Sequence, residues 1–313
     1  MKKLFISMLA VAALASCSQE DVIVADKGDL IGFNSFVENA TRADYSTTDI
    51  KTINVYGTVN NVLIYDHTPV TRPSEEAGVG YNQNWKCGVT QYWIEGANYK
   101  FAALVDVPKE DIDFDDYDMP ASFTYTADGT TDVLYDYYAT KGKEKGQNTI
   151  VPFTFKHLLS KVHFTVTNES EIDTYTYTIS NVTVTNTRAN GTYTVYTSND
   201  ADAVGVWSTT LTEGNTTFDP IEDVTNAEPV SNADLLLIPI PGTKVGISFT
   251  VTLSVGGKEV STYDYAKSDV VTLEQNTIYN FGVKFTPGEV IDFTVTAQPN
   301  WNPTVGGTEV KLQ

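Results

Sequence analysis

Cysteine is nearly absent: Cys17 and Cys87 are the two in 313 residues. A chain this size with two distant cysteines has no disulfide framework and no Cys pair to hold zinc. Histidine is almost as scarce, with His67, His157 and His163 and no HExxH array. There is no G-x-S-x-G elbow and no glycine-rich phosphate loop ahead of a helix. Basic residues number 20 against 40 acidic ones, for a net charge of −20. A surface that acidic repels phosphate backbones, which excludes nucleic acid as a partner. Carboxylates are plentiful, yet nothing in their spacing selects a glycosidase-like pair. The residues therefore point to no catalytic group, no cofactor and no metal, and the chain reads as a non-enzyme. Asp111, Asp113 and Asp115 begin like a calcium loop. Asp116 and Ser122 then stand where Gly and Glu are needed, so 109–118 reads as a solvated acidic loop.

Long apolar runs are missing too, except at the start. Lys2 and Lys3 precede an apolar stretch at 4–14 that is too short to stop in a membrane. Leu14-Ala15-Ser16-Cys17 follows and resembles a bacterial lipobox. Residues 1–16 are then a lipoprotein signal peptide, Cys17 the acylated (palmitate-bearing) residue, and 17–29 a tether. Several acyl chains on one residue anchor a protein firmly to a membrane. Loss of Lys2 and Lys3 moves the side-chain balance from 20 − 40 = −20 to 18 − 40 = −22. With Cys17 acylated, Cys87 is left as a buried, inert thiol.

What the chain has in quantity is Thr, Val and Tyr, the residues that suit a pleated, half-buried surface. Period-two alternation recurs in short stretches separated by Gly, Asn and Pro, and no amphipathic helix of ten residues follows the signal. The first stretch is 30–37, LIGFNSFV, with Ile31, Phe33 and Val37 on one parity. A polar connector at 38–44 then carries Arg42 and Ala43. Asn190-Gly191 gives a strong turn signal. Near the end, Ile291, Phe293 and Val295 alternate, and Val305 and Val310 follow a turn. Residues 151–166, VPFTFKHLLSKVHFTV, pose a parity problem. Phe153 and Phe155 are odd, Val162, Phe164 and Val166 even, and one strand cannot bury both sets on one face. The stretch must be two strands joined by a compact turn with Leu158 and Leu159 buried in it. Length favours two domains, read as 30–150 and 151–313 with terminal strands at 290–313. The tryptophans, Trp85, Trp93, Trp207 and Trp301, read as core, with a sugar-binding platform as the alternative.

Four stretches together resemble the fimbrillin family, the lipoprotein pilins and accessory proteins of type V pili. They are the Leu14–Cys17 lipobox, the 31–37 strand leading to Thr41-Arg42-Ala43, the central F-K-H-L-L-S-K-V at 155–162, and L-E-Q-N-T-I-Y-N-F at 273–281. The central stretch is the most specific. The resemblance implies two tandem transthyretin-like Greek-key β-sandwiches and a lipidated precursor that reaches the outer membrane and cell surface. An Arg-specific protease then cuts, here between Arg42 and Ala43. The cut frees the strand holding Ile31, Phe33 and Val37, and a neighbouring subunit's strand fills the groove by addition at a sheet edge. Here the donor is 290–313, with Ile291, Phe293, Val295, Val305 and Val310 as its anchors. The implied partners are other pilus subunits, the outer membrane through the lipid, and a host glycan or protein receptor. The alternative is a monomeric glycan-binding surface lipoprotein.

Overall fold

The computed structural model describes residues 28–37, 50–72, 85–170, 172–208, 213–225, 228–286, 290–299, 301 and 308–310. The all-β expectation holds: among these residues the elements are strands and one 3-10 turn at Lys109–Asp111. No helix among them is long and apolar enough to cross a membrane.

The first sheet runs Phe33–Val37, Val151–His157, Leu134–Lys141, Asn98–Val105, Thr52–Val59, Val62–Thr71 and Lys86–Cys87. Its first pair is parallel and its other pairs are antiparallel. The continuous apolar run at 101–105 signals a strand buried on both faces. Tyr99, Phe101, Ala103 and Val105 face one core with Ile53, Val55, Leu134, Phe153 and Phe155. Ala102 and Leu104 face a second core with Tyr56 and Tyr135. The sheet curls around the first core until its ends meet. Phe33 at one edge lies 5.2 Å from the Tyr65 ring near the other. The seam is closed by a bridge between Leu30 and Tyr92, with Ile31 N–H donating to Gln91 O and Trp93 N–H to Asp29 O.

A second sheet, Val206–Trp207, Asn190–Thr194, Pro120–Thr126 and Ile112–Phe114, packs on the other core through Trp207, Tyr193 and Phe123. The third sheet orders Val230–Ser231, Ser160–Asn168, Thr277–Thr286, Val290–Pro299 and Thr308–Glu309. The fourth orders Glu213–Thr217, Tyr175–Arg188, Lys244–Val255 and Lys258–Thr272. Val162, Phe164, Phe281 and Phe293 of the third meet Ile179, Ile247 and Phe249 of the fourth in a separate core.

The parity problem resolves at two residues. Val151, Phe153, Phe155 and His157 are buried on odd positions, and Val162, Phe164 and Val166 on even ones. Between them Leu158 and Leu159 are 1% and 0% exposed. The chain changes sheet there, and a new sheet sets a new parity. The expected division at 150/151 does not coincide with a change of sheet. Val151–His157 shares the core of Phe101 and pairs with Leu134–Lys141. Asn190–Thr194, from the second half, pairs with Pro120–Thr126 in the first. Nor do Asn190 and Gly191 form a turn. They begin a strand opposite Thr126 and Tyr125, and the glycine is needed for space. A Cβ at Gly191 would stand 2.9 Å from the Trp207 ring.

Leu158 packs in the second core with Leu159, Ile238 and Trp301. Leu158→Ala is expected to cost about 3 kcal/mol, the usual price of a leucine-sized cavity. Urea titration should show a lower midpoint at unchanged slope. An unchanged midpoint would mean that the leucine does not hold this corner.

Candidate functional site

The first strand and its surroundings are the part of the fold best arranged to do something beyond folding. Phe33–Val37 lies parallel to Val151–His157, with Phe33 opposite Val151 and Val37 opposite Phe155. Phe33 is 2% exposed; its ring stacks on Phe153 at 6.0 Å and meets Phe101 edge-on at 5.9 Å. Ile31 is buried in the same core, beside Trp93. Burial of two such side chains is worth roughly 1.5–3 kcal/mol each. Gly28 is dictated by contact, since a Cβ there would come within 2.6 Å of Trp93 O. Asp29 reaches the 143–148 tip, where its carboxylate accepts hydrogen bonds from Gly146 N–H and the Asn148 amide. The Asn148 side chain holds that carboxyl below its usual range; partial burial opposes this, and the Gly146 and Asn148 backbone N–H groups add to it.

Of the other sequence-based assembly residues, Cys17, Arg42, Ala43 and Val305 lie outside the described residues, as does the Val37 side chain. At the other end, Val290–Pro299 pairs antiparallel with Thr277–Thr286 along its whole length. Phe293 and Val295 sit in the core between the third and fourth sheets, and Ile291 and Val310 pack on its border. The last described strand is held far less. Thr308 and Glu309 pair with Ala297 and Thr296, and Val310 N–H donates to Val295 O at 2.8 Å.

The K-H-L-L-S-K-V-H stretch carries a charged network. His157 Nδ1 lies 2.5 Å from Asp132 Oδ2, and its ring stacks on Trp301 at 3.7 Å. Lys161, 2% exposed, pairs with Asp234 at 2.8 Å and sits over the same Trp301 ring. His163 also pairs with Asp234. Burial pushes the Asp234 carboxyl up, but His163 and Lys161 outweigh it and hold the group below its usual range. Backbone bonds complete the knot: Trp207 Nε1–H donates to Leu158 O, and Asn276 N–H to Leu159 O. Sequence reasoning named neither Asp132 nor Asp234. Those residues lie 25 positions before His157 and 73 after Lys161, in loops that carry no pattern of their own.

Among the described residues no three His, Cys, Asp or Glu side chains cluster as metal ligands. Asp115 spends its carboxylate on Tyr117 and Met119 N–H, within the acidic loop itself. Burial pushes the half-buried Cys87 thiol up, away from reactivity. The sugar platform is ruled out on geometry: Trp85, Trp93, Trp207 and Trp301 are all buried, so none offers a ring face to a glycan.

A family model for fimbrillin-like proteins matches residues 41–301, and the chain belongs to that family. Among solved structures, a candidate cell adhesion protein from Bacteroides uniformis is similar at a TM-score of 0.54 and 17% identity, covering 87% of this chain and 99% of that one. A fimbrial protein from Bacteroides vulgatus gives 0.53 at 12% identity, with 87% and 99% covered. A fimbrial assembly protein from Parabacteroides distasonis gives 0.50 at 13%, with 90% and 100% covered. At such identities the likeness establishes the fold alone. No curated protein sequence matches the chain.

Asp136 sits where the ladder between Leu134–Lys141 and Val151–His157 ends after two pairs. Its carboxylate bridges the gap, accepting Thr154 N–H at 2.6 Å and Tyr196 O–H at 3.0 Å. Burial pushes it up to about 6 from 3.8; the Thr154 N–H, Tyr196 O–H and Lys156 oppose this. The folded state then keeps this proton over a range where the unfolded chain has lost it, so stability falls between pH 4 and 6 and is level above. Asp136→Asn removes that decline. Variant-minus-wild-type unfolding free energy should rise by about 3 kcal/mol from pH 4 to 6.5, at roughly 1.4 per unit. A flat difference would show that the carboxyl titrates as if exposed.

Proposed function

We propose that the chain is a structural and adhesive subunit of a type V-like pilus, exported as a lipoprotein on Cys17 and displayed at the outer membrane as part of a fimbrium. It carries no catalytic activity. Its partners are other pilus subunits, with a host glycan or protein as the adhesion target. Two blocks, joined at Leu158 and Leu159, give the rod its segments. Assembly begins with a cut between Arg42 and Ala43, and another subunit's strand takes the place of the first.

The observation that carries this reading is the placement of Ile31 and Phe33. They fill the barrel-like first core from a strand whose connector leads directly to Arg42. Of the three arginines, Arg72 precedes a proline and Arg188 is buried within a strand, which leaves Arg42 as the one suited to a protease. The family match also begins at residue 41, one position before it. Donor duty falls more naturally on the tail than on the whole of 290–313. Ile291, Phe293 and Val295 serve their own sheet, whereas the described tail residues, 308–310, pair through a two-pair ladder and one further backbone bond. Gly307, Val310 and Leu312 also repeat the spacing of Gly28, Ile31 and Phe33. An incoming tail would thus bring a glycine to the place where a Cβ strikes Trp93 O, and apolar side chains to both inward positions.

The test uses the chain from residue 18 onward and an Arg-specific protease. Expected are a new N-terminus at Ala43 and a ladder of polymers that survives mild heating in detergent. Arg42→Ala should abolish both, and truncation after Trp301 should allow the cut but leave monomers. A protein cut at Arg42 that stays monomeric overturns the assembly mechanism.

A further inference from the structure

The first strand is gripped at its head by one residue with two faces. On one side the Asp29 backbone carbonyl accepts Trp93 N–H at 2.8 Å. On the other, Asp29 Oδ2 accepts Gly146 N–H at 2.7 Å, Asn148 Nδ2–H at 2.9 Å and Asn148 N–H at 3.4 Å. Asn148 in turn shapes the tip that it belongs to: its Oδ1 accepts Lys143 N–H at 2.7 Å and its Nδ2–H also reaches Lys143 O. The tip is basic, and Lys145 adds an attractive charge to the Asp29 carboxylate. The structure docks this tip on the head of the first strand. Charge-assisted bonds of this kind are about twice as strong as neutral ones.

The grip has a directional consequence. Residues 29–32 are bonded to segments on both flanks, 91–93 and 146–151, whereas Phe33–Val37 is paired with Val151–His157 alone among the described strands. A cut after Arg42 frees the far end of the strand and leaves its head tied. Departure therefore requires breaking the ties at Asp29, and no ladder bond in the 33–37 region involves a charged acceptor.

We propose that Asp29 and the 143–148 tip form a latch that sets how long the first strand keeps its place. Its purpose in timing subunit exchange rests on the function proposed above, but its existence does not. Hydrogen–deuterium exchange of the uncut chain tests it directly. Asp29→Ala should speed exchange of residues 28–37 by roughly tenfold, and that of 143–151 with it, while 277–299 stays protected. Asn148→Ala, which keeps the carboxylate and two backbone donors, should give a smaller change in the same segments. If only 143–151 speeds up, Asp29 holds the tip and not the strand, and the proposal fails. If Asp29→Ala loosens the whole protein, Asn148→Ala decides by the same comparison. After protease treatment, the fragment ending at Arg42 should leave Asp29→Ala roughly tenfold faster than wild type. Absence of any cut would sink the assembly reading and leave the exchange result standing.

Discussion

The structure depends on how the chain buries charge at the corner where it changes sheet. His157 and Lys161 lie on either side of Leu158 and Leu159, both almost fully enclosed, with Trp301 between them. Enclosing an imidazole and an ammonium is costly unless each finds a carboxylate. Asp132 supplies one from the loop ahead of Leu134–Lys141, and Asp234 the other from the loop just before residue 235. Each pair forms within one sheet, and the Trp301 ring, stacked on His157 and lying under Lys161, ties the two together across the corner. A buried ion pair adds little net stability, so we read this network as a device for fixing arrangement. Trp301 completes it from the far end of the chain, its backbone N–H donating to Asn276 O.

That dependence explains what could be read from the residues and what could not. Period-two alternation is a local property, so the strands, the all-β class and the parity break at Leu158–Leu159 were legible. The burial of Ile31 and Phe33 was legible for the same reason. Pairings between distant loops were not, because Asp132 and Asp234 look like any other surface acid until the fold brings them in. Asn190-Gly191 misled for a different reason. The dipeptide favours a turn by its backbone freedom, but here the glycine is selected by the Trp207 ring pressed against it. The sheet that Val151–His157 joins was not legible, because length and composition do not say with which neighbours a strand pairs.

The candidate site divides along the same line. The inward anchors could be named from alternation, but the tie at Asp29 could not. Asp29 lies 117 positions from Gly146, in a segment that composition assigns to a tether. Only the parallel pairing of Phe33 opposite Val151 places that carboxylate beside the tip, which leads directly into Val151–His157.

The two chain ends are held by unlike means, and the difference bears on which can move. The first strand has two buried anchors and a parallel ladder, the weaker kind of pairing, supplemented by the tie at its head. Among the described tail residues, 308–310, there is a two-pair ladder and a half-buried Val310. In the assembly proposed above the tail leaves its own sheet, while Val290–Pro299 stays to keep the third sheet and its core closed. Aligned on the first strand by Gly307, Val310 and Leu312, the tail would place Thr308 where Asp29 now stands. A hydroxyl is shorter and uncharged, and it cannot gather the three donors that the carboxylate gathers. A subunit joined this way would gain apolar filling and a new ladder but forgo the tie to the 143–148 tip. The tie would then belong to the precursor alone, which is where a restraint on early release is useful.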